Sequence, residues 1–170
     1  AGTRARLGTA AVVAGRRLVA CYAQRGSGEH QQGWQYHGAV PVDPRFNRFD
    51  TLGRFRGTLA AAGLEEHVVA IVGRSETVAS LWNTALAMVF IDGGHTDEAA
   101  QNDYSGWARW VRAGGRLLIH DVFPDPAGGG QAPYRIFRRA LDSGEFTQRG
   151  TVGSLRVLER VRGEAGAPVA

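Results

Sequence analysis

The sequence predicts an α/β fold, a three-layer sandwich built on a mostly parallel sheet. Three observations predict it. Short apolar runs alternate with longer amphipathic stretches, the pattern of strands and helices taking turns along the chain. The runs at residues 88–91 and 117–119 are continuously apolar, as expected of strands covered on both faces. Polar residues stand just after three of these runs, where open parallel sheets bind their ligands.

Strands are expected at residues 17–22, 67–72, 86–91 and 116–120, with two more at 146–149 and 154–159. The first contains Cys21, the only cysteine. A single thiol excludes an intrachain disulfide framework and a cysteine-based zinc cluster, and its apolar setting reads as a buried structural group.

Helices fill the gaps. Residues 50–62 carry Leu52, Phe55, Leu59 and Ala62 on one stripe, with Asp50 or Thr51 to cap the start and Gly63 to end it. Residues 96–113 carry Ala100, Tyr104, Trp107 and Val111 in the same way. Asp97 and Glu98 in its first turn complement the helix dipole, and Gly114 stops it. Asp97, Glu98 and Asp103 are expected on a solvated face. A shorter helix is expected at 133–141, with Pro133 in its first turn.

Two stretches read as loops. Residues 24–47 are polar, Gly-rich and aromatic; a loop of that length is either functional or disordered, and Trp34, Tyr36 and His37 favour function. Residues 123–132 follow a strand end and are placed to form a lid. One domain is expected over residues 1–160, with a disordered tail over 161–170.

Composition narrows the function. With 170 residues, 44% hydrophobic and 21% charged, the chain has the make-up of a globular domain. It lacks the roughly 18 consecutive apolar residues of a spanning helix. Its N-terminus is too broken by Gly and Arg for a signal peptide, so the cytoplasm is the expected compartment and no membrane partner is expected. All 20 basic side chains are Arg; there is no Lys. They are scattered, and the net charge is only +4, so nucleic-acid binding is not expected. Without Lys, a general base must be His, Asp, Glu or Tyr.

The candidate site lies at the strand ends. Gly73, Arg74 and Ser75 follow the run ending at Val72. Asp92, Gly93, Gly94 and His95 follow Ile91, and His120 and Asp121 follow Ile119. If the last two strands pair, Asp92 and Asp121 share one site. Gly93 and Gly94 permit a tight turn and a close ligand approach. His95 precedes a helix start, where the dipole favours neutral imidazole, able to accept a proton from a hydroxyl. His120 and Asp121 are adjacent, and a strand ending there can turn both inward. Two carboxylates and a histidine suit a divalent ion, Mg²⁺ or Ca²⁺ by the oxygens and Mn²⁺ or another transition metal by the imidazole. Helix capping by Asp92 and core packing of His120 are the structural alternatives.

Residues 89–123 resemble a segment typical of bacterial class I S-adenosylmethionine-dependent methyltransferases. Phe90, Ile91, Asp92, Gly93 and His95 carry the likeness, with Asp103, Trp107, Gly114, Gly115, His120, Asp121 and Val122. Residues 25–34, 73–82 and 123–141 resemble the same group, so the likeness runs from about Gly2 to Leu158. It implies a Rossmann-like fold and S-adenosylmethionine as methyl donor to a small-molecule hydroxyl. In the metal-dependent O-methyltransferases of this fold, the matching positions for Mg²⁺ are Asp92, His120 and Asp121. His95 stands where the catechol-type enzymes carry a lysine base, and His95 and His120 are the catalytic candidates. Gly2, Arg74, Ser75, Asp92 and Gly93 are the expected cofactor contacts.

Two departures accompany the likeness. The family's first strand is expected to be missing, with Ala1, Gly2 and Thr3 matching only the end of its glycine-rich turn. The strand beginning at Arg17 ends in Cys21, Tyr22, Ala23 and Gln24, where the family carries an acidic residue that accepts two hydrogen bonds from the ribose diol. The alternatives are a truncated, non-catalytic methyltransferase-like domain and a nucleotide-binding α/β domain. A homo-oligomer is compatible with the sequence.

Overall fold

The computed structural model describes residues 18–22, 42–43, 48–49, 52–94 and 96–170. Contacts gather into two compact units, Ala1–Val78 and Ala79–Ala170. Among the described residues, no helix is long and apolar enough to cross a membrane.

In the first unit, β1 (Leu18–Tyr22) is followed by two-residue strands, β2 (Val42–Asp43) and β3 (Arg48–Phe49), which pair antiparallel. The loop expected at 24–47 therefore contains a short strand; its other residues lie outside the described ones, as do Asp50 and Thr51. Helix α1 (Leu52–Ala61) buries Leu59. Gly63 ends it in the left-handed region at φ 65°, where Leu64 N–H donates to Leu59 O at 2.9 Å and Gly63 N–H to Ala60 O at 3.1 Å. A glycine adopts that conformation without the steric cost a Cβ brings. Strand β4 (Val68–Val72) then pairs parallel with β1, Leu18 opposite Val68 and Tyr22 opposite Val72. Helix α2 (Ser75–Leu81) begins in this unit and ends in the second.

The second unit holds a four-stranded sheet in the order β5-β6-β8-β7. Strands β5 (Leu86–Ile91) and β6 (Val111–Ile119) run parallel, joined through α3 (Asp97–Trp107) and a 3₁₀ turn at Ala108–Trp110. A second 3₁₀ turn at Pro126–Gly128 and helix α4 (Ala132–Asp142) lead to an antiparallel hairpin, β7 (Phe146–Val152) and β8 (Leu155–Arg160). Strand β8 also pairs antiparallel with β6. The parallel pairs are thus β1–β4 and β5–β6, and the last two strands join in the opposite sense.

One core unites the second unit. Ala100 and Tyr104 of α3, Leu117 and Ile119 of β6, Ile136, Phe137 and Ala140 of α4, Phe146 and Leu158 belong to it. Burial along β6 and β8 alternates, with Leu117, Ile119 and Leu158 fully buried and Leu118 and Val157 only partly so. Within this unit both long helices contribute their apolar stripes to a single core.

Two local expectations, the helix over 96–113 and the tail over 161–170, are corrected, and the stretch 123–132 is described beside them. The helix expected over 96–113 ends at Trp107, because Val111 turns extended at ψ 120° and pairs with Leu86. Thr96 does cap its start, accepting from Ala99 N–H at 3.2 Å. The stretch 123–132 is tied into an ordered turn, with Gln131 Nε2 donating to Phe123 O at 3.0 Å and Asp125 Oδ1 accepting from Ala127 N–H at 2.9 Å. Residues 161–170 do not form a disordered tail. Arg109 Nε donates to Gly166 O at 2.8 Å, Gly166 N–H donates to Arg109 O at 2.8 Å, and Val169 is buried in the core. Small residues here let the backbone lie close against Trp110, which composition alone reads as disorder.

Beneath this docked segment lies Arg160, with no exposed surface. Its guanidinium donates to Glu145 Oε2 at 2.5 Å and to the carbonyls of Arg109 and Val111 at 2.8 Å each. A buried cation is tolerated only when paired and hydrogen-bonded in this way.

Candidate functional site

The parallel register of β5 and β6 sets Ile91 opposite Ile119. The residues that follow, Asp92 and His120, therefore leave the sheet side by side. His120 N–H extends the ladder by one bond, donating to Ile91 O at 3.0 Å. Asp121 then takes φ 54°, and it is the only described residue other than glycine with positive φ. This left-handed turn breaks the alternation of a strand and brings two consecutive side chains together. Beyond it, Val122 N–H donates to Ser154 O at 2.9 Å, and Ser154 Oγ donates to Asp121 Oδ1 at 3.3 Å. The β7–β8 turn thus braces the strand end from outside.

His120 Nδ1 lies 3.2 Å from Asp92 Oδ1 and 3.0 Å from Asp121 Oδ1. This nitrogen is buried, yet it meets neither oxygen with hydrogen-bond alignment. The imidazole stands edge-on to Phe90, ring centres 6.3 Å apart. Asp92, His120 and Asp121 each offer one ligand atom, and the three atoms lie within 4.8 Å of one another. Two carboxylate oxygens and one unaligned ring nitrogen form a donor set that fits a divalent cation. A small recess opens beside them, lined by Gly93, Gly94, Ala100, Pro133 and Ile136.

Gly93 has a packing reason that the sequence does not reveal. A Cβ there would collide with the Asp103 carboxylate. Asp103 is half-buried rather than on a solvated face, whereas Asp97 and Glu98 are exposed and Asp97 pairs with Arg135 at 2.6 Å. The available signal was spacing: Asp103 falls three residues after buried Ala100 and four before Trp107, on the shoulder of the apolar stripe. Ser154 was also missed, since its role depends on a hairpin that returns to the β6 end.

The other sequence candidates divide. Gly2 and His95 lie outside the described residues. Arg74 and Ser75 follow β4 in the first unit, where the Arg74 guanidinium is largely exposed and pairs with Glu76 at 2.5 Å. Cys21 Sγ lies 3.9 Å from Gly73 O, half-buried, which fits a structural thiol.

Residues 5–122 match the sequence profile of a methyltransferase domain. The chain belongs to the class I S-adenosylmethionine-dependent methyltransferase family. Among solved structures, it is similar to the O-methyltransferase NovP, at 16% identity and a TM-score of 0.60, over 86% of this chain and 61% of NovP. It is also similar to the methyltransferase PaMTH1 of Podospora anserina in its SAH-bound form, at 15% identity and a TM-score of 0.55, over 86% of this chain and 72% of that one. An O-methyltransferase family protein from Burkholderia thailandensis aligns at 18% identity and a TM-score of 0.49, over 66% of this chain and 41% of that one. This methyltransferase chain thus spans about two fifths of the Burkholderia protein's length. The likeness to NovP and PaMTH1 shows the Rossmann-like fold.

Proposed function

We propose that this methyltransferase domain transfers a methyl group from S-adenosylmethionine to a hydroxyl of a small molecule, with a divalent ion held by Asp92, His120 and Asp121. The observation that carries the reading is the convergence of those three ligand atoms within 4.8 Å, at the ends of adjacent parallel strands. The ion, Mg²⁺ or Mn²⁺, would supply positive charge that orients the hydroxyl and eases loss of its proton. His95 takes the proton from the acceptor oxygen as general base. His120, whose Nδ1 faces both carboxylates, serves as ligand rather than as a second base. When bound, S-adenosylmethionine would supply the methyl carbon to the acceptor oxygen, its carbon–sulfur bond breaking to release S-adenosylhomocysteine. By the family resemblance, Arg74 and Ser75 are assigned to the adenine side of the donor, and Gly2, Asp92 and Gly93 are assigned as further donor contacts. Holding donor and acceptor in line supplies much of the rate.

Calorimetric titration of the folded chain with S-adenosylmethionine, with and without Mg²⁺ or Mn²⁺, tests the reading. Saturable binding supports it; no heat under any of these conditions overturns it. A non-catalytic binding domain is the second reading, favoured by Tyr22 at the end of β1, where the family carries an acidic residue. Methyl transfer to any hydroxyl acceptor rules that second reading out.

A further inference from the structure

We infer that His120 makes this centre selective for Mn²⁺ over Mg²⁺. The inference rests on the divalent-ion reading above and deepens it. Mg²⁺ is small and hard, takes oxygen ligands almost exclusively, and gives up its water reluctantly. Imidazole nitrogen is a softer donor, better matched to first-row transition metals, and Mn²⁺ accepts both carboxylate and imidazole. One of the three donors here is such a nitrogen, and it is fixed in place. The His120 backbone is tied to Ile91 O at 3.0 Å, and its ring stands against Phe90. Nδ1 is buried within 3.2 Å of both carboxylates without a hydrogen bond to either. Swinging the ring aside to leave an all-oxygen site would abandon the Phe90 contact. The next residue, Asp121, is braced by Ser154, which opposes a shift that would replace the nitrogen with its own second oxygen.

The test is titration of metal-free chain with MnCl₂ and with MgCl₂ by calorimetry, together with pulsed electron paramagnetic resonance of the Mn²⁺-loaded sample. The expected results are a higher affinity for Mn²⁺ than for Mg²⁺, and a nitrogen hyperfine coupling from a directly bound imidazole. In His120→Asp, the coupling disappears and the affinity ratio moves toward Mg²⁺. Wild-type protein alone decides the matter if that variant does not fold. Equal affinities, or Mn²⁺ binding without nitrogen coupling, overturn the selectivity while leaving a divalent-ion site intact. If folded chain takes up neither ion, the metal reading falls with it.

Discussion

Ser154 Oγ donates a hydrogen bond to Asp121 Oδ1 at 3.3 Å, across 33 positions of sequence. The contact ties the β7–β8 turn to the left-handed residue at the end of β6. Outer partners of this kind orient a carboxylate and tune a bound ion. Ser154→Ala is expected to leave the fold in place, with a loss of about 1 kcal/mol or less. Mn²⁺ affinity is expected to fall on the order of tenfold. Calorimetry beside a urea melt separates the two effects.

Gly93→Ala places a methyl group against the Asp103 carboxylate. The obstacle is the far end of a side chain that can turn aside, so the cost is expected at the low end of overpacking, about 1 kcal/mol or less. Adding Asp103→Ala removes the obstacle, so the double variant is expected to be more stable than the sum of the singles implies. Four urea denaturation curves complete the cycle.

Tyr104 is fully buried, and burial pushes its phenol up from 10.0 to about 12, against the opposing pull of the Arg139 guanidinium. The folded-state value lies above the unfolded one. Its contribution is therefore fully present below pH 10 and is lost as pH rises toward 12. The rise corresponds to about 3 kcal/mol at most. Tyr104→Phe is expected to flatten this alkaline decline, measured by denaturation at stepped pH. In the wild type, phenolate absorbance should show one tyrosine titrating late.

Arg160→Ala leaves the Glu145 carboxylate and the carbonyls of Arg109 and Val111 without their guanidinium partner. Removing one member of a buried pair costs about 3–5 kcal/mol. Glu145 keeps some exposure, 20% of its side chain, so Glu145→Gln is expected to cost less. Thermal melts of both variants check the order.

The strands were legible because their apolar runs end abruptly at Gly73, Asp92 and His120, and β5 follows its run from Leu86 to Ile91. The meeting of Asp92, His120 and Asp121 followed from one added assumption, that β5 and β6 are neighbours. What stayed hidden depends on tertiary partners. Val111 continues the helical spacing of Ala100, Tyr104 and Trp107, yet it pairs with Leu86 as a strand residue. Asp103 looks like any charged residue on a solvated helix face until Gly93 is seen beside it. The final residues are small and polar in composition, but Arg109 and Trp110 hold them in place.

The strand order also sets a sequence in time. Strands β7 and β8 meet through a tight turn at Gly153, φ 58°, and hairpins close within about 1–10 μs. Strands β5 and β6 are parallel, so they align only after the chain has traversed α3, a costlier closure. Asp92 and the His120–Asp121 pair are therefore expected to become neighbours after the turn carrying Ser154 has formed, an order that phi-value analysis at Ile91 and Val152 would check. An ion that needs all three donors would find no equivalent in the unfolded chain. Its binding would draw the equilibrium toward the native state by mass action, and the melting temperature would then rise with its concentration.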